Sequence, residues 1–183
     1  VLHEARASGL DLPIVYNTGG YEYPEALRLL DGLVDIYLPD FKYMDPALAA
    51  RYSQAPDYPD RAKEALAEMV RQTGEAVFDD AGMMKRGVLV RHLALPGQLS
   101  DSMSVLAYLH ETYGEQIFLS IMNQYTPMPG IEITFPELGR KLSAVEYDTL
   151  VDYAVLLGVE NGFIQEGDTA EESFIPPFDL EGV

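Results

Sequence analysis

Four short apolar runs alternate with stretches of helical periodicity, and each run ends in a polar cluster. The runs cover residues 12–16, 33–38, 87–95 and 116–122. Parallel strands need a long crossover between them, and the intervening helical segments supply one. The pattern therefore predicts an α/β domain with a parallel sheet covered by helices. The clusters are Tyr16-Asn17-Thr18-Gly19-Gly20, Leu38-Pro39-Asp40-Phe41-Lys42-Tyr43, Arg91-His92-Leu93-Ala94-Leu95-Pro96-Gly97 and Met122-Asn123-Gln124-Tyr125. In a barrel-like α/β protein the C-terminal ends of parallel strands converge on one site, so the clusters point to a small-molecule site. Four strands amount to half of an eightfold barrel, which takes about 250 residues. The expectation is a partial barrel, or a barrel without its first units.

The connecting segments have their own signals. Residues 1–7 form an amphipathic pattern closed by Gly9, read as the tail of a helix. Pro24 suits the first turn of a helix over 24–30, ended by Asp31-Gly32. Residues 45–73 read as helical with interruptions at Pro56 and Pro59, and Gly74 as the C-cap. Residues 78–86 read as a mobile loop or small hairpin. Ser100 or Asp101 is the expected N-cap of a helix reaching Tyr113. Residues 125–136 form a Pro- and Gly-rich loop long enough to cover a site. Ser143 and Glu146 form a capping box ahead of a helix to Leu157, and 162–165 add a short strand. Residues 1–165 read as one domain, and 166–183 as an acidic tail that wraps the domain or is partly disordered.

Composition narrows the function. The chain has 183 residues, 30 Asp and Glu against 12 Lys and Arg, and a formal charge of -18. Such a field repels phosphate backbones, which argues against nucleic acid and anionic membranes as partners. No apolar run approaches the roughly 20 residues of a membrane span. The sequence contains no cysteine, which removes disulfides, thiolate metal sites and thiol nucleophiles together, and is compatible with a cytoplasmic setting. The absence of an initiator Met and the helix-like start are read as a cut edge.

Each cluster has a chemical reading beside a structural one. Asn17, Thr18 and Gly20 stand where a strand enters a loop, and adjacent glycines let backbone amides approach a ligand; the same residues also suit an ordinary βα turn. Asp40 and Lys42 flank Phe41, and period-2 alternation puts both on one side. They fit a ligand site, a structural ion pair, or a Schiff-base lysine as in barrel aldolases. Arg91 and His92 are strand neighbours, so only one of them can face the barrel interior. The three His residues form no metal pattern.

Taken in order, these runs resemble the radical S-adenosylmethionine (SAM) superfamily, specifically proteins like the pyruvate formate-lyase-activating enzyme. The resemblance rests on residues 12–22, 34–43, 68–72, 91–97 and 122–125 and spans the chain to about Gln165. It implies a partial (β/α)6 barrel whose first strands are missing here. It implies a four-iron, four-sulfur cluster on a three-cysteine motif, reductive cleavage of SAM to a 5′-deoxyadenosyl radical, and oxidoreductase activity of the activase type. A protein substrate and a flavodoxin- or ferredoxin-like reductant follow as partners. Residue by residue, Asn17, Thr18 and Gly20 match the segment near the SAM methionine moiety. Asp40 matches the ribose-binding Asp and Lys42 the carboxylate-binding Lys. Arg91 with Leu93 matches the fifth-strand segment along the SAM site, and Gln124 with Tyr125 falls where a residue faces adenine. The departure is the absent cysteine motif, without which this chain alone makes no radical. A cluster-free half-barrel that binds a ligand or a protein, and a lyase built on Lys42, are the competing readings.

Overall fold

The computed structural model describes residues 1–164, and the acidic segment expected to wrap the domain lies outside them. Five parallel strands form one continuous path. They are β1 (Val15–Thr18), β2 (Ile36–Pro39), β4 (Met84–Leu93), β5 (Phe118–Met122) and β6 (Gly162–Ile164), adjacent in that order. The expectation of parallel strands, neighbours in chain order, holds. β3 (Val77–Phe78) runs antiparallel to the start of β4, so residues 77–86 are a hairpin. The fold is α/β with a mostly parallel sheet.

The helices are α1 (Leu2–Ala7), α2 (Pro24–Arg28), α3 (Pro46–Ser53), α4 (Tyr58–Thr73), α5 (Leu99–Tyr113), α6 (Ile131–Thr134) and α7 (Ala144–Leu157). The break expected near Pro56 separates α3 from α4, with Gln54 in the left-handed region at φ 55°. Pro59 sits in the first turn of α4, where its missing N–H is not needed. Gly74 caps α4, and the Ser143–Glu146 capping box is formed in full. One cap differs from expectation. The helix α5 starts at Leu99 behind Gln98, with no side-chain cap. Asp101 instead reaches across the fold and accepts hydrogen bonds from the Met44 and Asp45 amides, which tie the loop after β2 to α5.

Strand limits also moved. Leu12 is largely exposed and Pro13 has no amide hydrogen, so β1 begins at Val15 and takes in the polar Asn17 and Thr18. Leu33 and Val34 are buried in the turn ahead of β2, with the Leu33 amide bonded to the Leu30 carbonyl. Their apolar character, continuous with 36–38, made them read as strand.

The two faces of the sheet are unequal. Tyr37, Val88, Val90, Leu119 and Ile121 are buried in one core with Leu66 and Met69 of α4, Val105, Leu106 and Leu109 of α5, and Leu150 of α7, and His92 is buried on the same face. The alternate residues Asn17, Leu38, Leu89, Arg91, Leu93, Phe118, Ser120 and Met122 share the opposite face and are half-buried or exposed. Parallel sheets are ordinarily covered on both faces, and among the described residues this face is the less covered one. Behind the core, Glu68 of α4 is 6% exposed and is held by Arg71, Gln72 and Arg28. The Arg71 guanidinium draws its pKa down to about 2 despite burial.

His92 belongs to the covered face, 1% exposed, with Nδ1 2.8 Å from the Phe41 carbonyl oxygen. Its Nε2 is shielded and has no partner. Burial pushes its pKa below the ordinary value, so folding favours the neutral ring. The unfolded chain then binds more protons, and stability rises with pH. The denaturation midpoint should fall as pH drops below the unfolded value of about 6.5. This slope should flatten in His92→Gln. An equal slope between pH 7.5 and 5.5 in both proteins would show that His92 is not its source.

Candidate functional site

The polar strand ends gather at the C-terminal edge of β1, β2 and β4. Phe41 is an apolar anchor, 1% exposed, and holds the backbone between Asp40 and Lys42 against the core. Asp40 then pairs in register with Arg91, which extends the parallel ladder past the end of β2. That places Arg91 on the open face and His92 on the covered one, so the alternation picks Arg91 as the site residue. Arg91 Nη2 donates to Asn17 Oδ1 at 2.8 Å and lies 2.7 Å from Asp40 Oδ1. Lys42 Nζ stands 3.8 Å from Asp40 Oδ2, with its side chain 45% exposed. One carboxylate thus sits between two cations, and one of those cations keeps most of its freedom.

The loop after β1 is shaped to meet this edge. Thr18 is buried, its hydroxyl donates to Glu22, and it accepts from the Gly20 amide at 3.2 Å. Gly20 has φ +77°, and a Cβ there would meet the Asp40 carbonyl oxygen at 2.2 Å. Only glycine lets the two loops touch. The Tyr58 hydroxyl pins the same junction. It accepts from the Lys42 amide at 3.0 Å, and its proton is shared between the carbonyls of Gly19 at 2.9 Å and Asp40 at 3.0 Å. Burial pushes the Tyr58 phenol well above its ordinary pKa, so it stays protonated for that task.

Leu93 lies on the open face above Arg91, in register with Met122. Gln124 and Tyr125 lie past the end of β5. Gln124 is exposed and approaches the Met122 sulfur at 3.6 Å. Tyr125 is half-buried and donates to the Leu138 carbonyl at 2.9 Å. The loop that begins there is anchored to α3. Glu137 accepts from Tyr52 at 2.6 Å and pairs with Arg51 at 2.7 Å, while Phe135 meets the Tyr52 ring edge-on at 5.2 Å. The long loop therefore folds beside the loop that carries Lys42. The structure brings Asn17, Thr18, Gly20, Asp40, Lys42 and Arg91 together, while Gln124 and Tyr125 follow the end of the neighbouring strand β5.

Three atoms at this edge are shielded from solvent without a hydrogen bond: Arg91 Nε, Glu22 Oε2 and Asp40 Oδ1, the last of which has the ion-pair contact with Arg91. Buried polar atoms are ordinarily satisfied, so orphans at a strand-end site fit a polar ligand. Burial and the Glu22 carboxylate together push the nearby Tyr16 phenol up. Glu22 and Tyr58 are the residues that reasoning from single positions missed. Glu22 reads in sequence as a turn residue, and Tyr58 as an ordinary helix residue with no marker of its hydroxyl contacts.

The residues present do not fit an iron–sulfur cluster. The sequence has no cysteine, and among the described residues no group of three His, Asp or Glu could hold a metal ion. Among the described residues no helix is long and apolar enough to cross a membrane.

No family model matches the chain. An uncharacterized protein of Methanocaldococcus jannaschii is 24% identical over 144 residues, covering 79% of this chain and 38% of that protein. The chain thus spans well under half the length of that relative.

Proposed function

We propose that the C-terminal edge of this sheet binds the methionine and ribose portions of SAM, as part of a radical SAM enzyme of the activase type. The observation that carries the reading is the convergence of Asn17, Asp40, Lys42 and Arg91 on one edge of a parallel sheet, beside orphaned polar atoms. Lys42, the more exposed cation, holds the SAM carboxylate. Asp40 accepts from the ribose hydroxyls, with Arg91 holding its carboxylate in place. Glu22 Oε2 offers an acceptor to the SAM ammonium group. Leu93 and Met122 give the adenosyl portion an apolar wall. When bound, SAM supplies the adenosyl group for radical chemistry.

These 183 residues do not fit a cluster. The reading places the cluster ligands elsewhere in a longer protein that completes the partial barrel over the open face. The M. jannaschii relative, much longer than the region it shares with this chain, is consistent with such an arrangement. Protein substrate, reductant and cytoplasmic setting belong to that whole protein.

A charged hydrogen bond is worth about 1.5–3 kcal/mol, tenfold or more in affinity. In the longer, cluster-bearing protein, Lys42→Ala should weaken SAM binding roughly tenfold or more in calorimetry. Unchanged affinity would remove Lys42 from the site and with it the assignment of this edge.

A further inference from the structure

The open face has a second, chemically different half. Phe163 lies opposite Ser120 in the ladder, and Ser120 lies opposite Arg91, so all three share the open face. Phe118 is one rung lower, opposite Leu89. Its ring packs against Phe163 at 5.7 Å and against Phe78 of the hairpin at 5.0 Å. The hairpin therefore folds Phe78 toward the sheet and builds a three-ring shelf. Phe78 is 39% and Phe163 50% exposed, high values for rings that each pack on Phe118. A cleft of about 560 Å³ runs from this shelf along the N-terminal edge, lined by Phe78, Phe118, Tyr113, Glu75 and Glu115 among others. That volume falls within the range of small-molecule sites.

The charge of the cleft has one sign. No Lys or Arg lines it. The neighbouring hairpin cations are engaged elsewhere: Lys85 holds Asp79 at 2.9 Å, and Arg86 donates to the Gln72 carbonyl. Among the described residues no cation pairs with the carboxylate of Glu75 or Glu115. Rings beside unneutralised carboxylates favour a ligand with a flat apolar body and a positive end, since aromatic faces and carboxylates both attract cations.

We infer that the Phe78–Phe118–Phe163 shelf and its cleft form a binding site for a small arylalkyl amine, separate from the cluster of Asp40, Lys42 and Arg91. The inference stands on the rings, the cleft and its charge, and not on the SAM reading. The amine lays its ring on Phe78 and Phe118, with Phe163 backing the Phe118 ring, and turns its ammonium group toward Glu115 and Glu75.

The test compares two probes with the same apolar body, phenethylamine and 3-phenylpropionate, by calorimetry and ligand-observed NMR on the 183-residue chain. The amine should bind at least fivefold more tightly than the carboxylate. Phe163→Ala, on an edge strand, and the surface change Glu115→Gln should each weaken the amine at least threefold. Glu115→Gln should leave the carboxylate probe unchanged. Equal binding of the two probes, no binding of the amine, or an unaffected Phe163→Ala would overturn the inference. So would concentration-dependent self-association abolished by Phe163→Ala, because the shelf would then be a contact between two copies. SAM affinity measured on the same samples should be unchanged by both substitutions, so failure of one site is distinguishable from failure of the other.

Discussion

Gly20→Ala is expected to cost at least about 3 kcal/mol of stability and to abolish binding at the C-terminal edge. Two effects add. The residue sits at φ +77°, where a side chain is strained, and its new Cβ would lie 2.2 Å from the Asp40 carbonyl oxygen. The obstructing atom is backbone, so relief requires the loops after β1 and β2 to part. That movement also breaks the contacts of the Tyr58 hydroxyl with Gly19 and Asp40. For a chain of this size each kcal/mol lowers Tm by about 2–4 °C. A drop of about 6–12 °C in thermal denaturation is the expected reading. A Tm within a degree or two of the parent would mean that the two loops do not meet as described.

Tyr58→Phe isolates the hydroxyl from the ring. The ring is 3% exposed, stacked on Tyr21 at 5.8 Å and edge-on to Tyr43 at 5.6 Å, and all of that survives the change. What is lost is the acceptor for the Lys42 amide and the donor to two carbonyls. A buried backbone group left without a partner costs about 1–3 kcal/mol. Stability should fall by that amount in urea titration. Amide exchange at Lys42 should accelerate while exchange in β5 stays as it was. Acceleration spread evenly over the domain would make Tyr58 a general core residue rather than the pin between the two loops.

Much of the sheet was legible because period and punctuation agreed. Apolar runs bounded by Gly and Pro, separated by helical spacing, specify parallel strands in chain order. The strand ends were less so. Asn17 and Thr18 lie within β1, since the ladder continues through polar residues as long as the neighbouring strand pairs with them. Leu33 and Val34 are apolar for the core yet lie in a turn. Asp101 looked like a cap because Asp at a helix start ordinarily is one, but long-range amides compete for the same carboxylate.

The site divides in the same way. Asp40 and Lys42 were legible because a pair of charges at the end of an apolar strand needs an explanation. Periodicity alone left Arg91 and His92 undecided; the resemblance singled out Arg91, and the register with β5 puts it on the face away from the helices. Glu22 and Tyr58 act through contacts between residues distant in sequence or through a shielded oxygen, and neither leaves a mark in composition or period.

The most direct test of the account is a titration of the isotopically labelled chain with SAM, followed by amide NMR. The account predicts saturable shifts at Thr18, Gly20, Asp40, Lys42 and Arg91, with Val77, Phe78 and Glu115 at the opposite edge unmoved. Absence of saturable shifts, or shifts centred on that opposite edge, would contradict it.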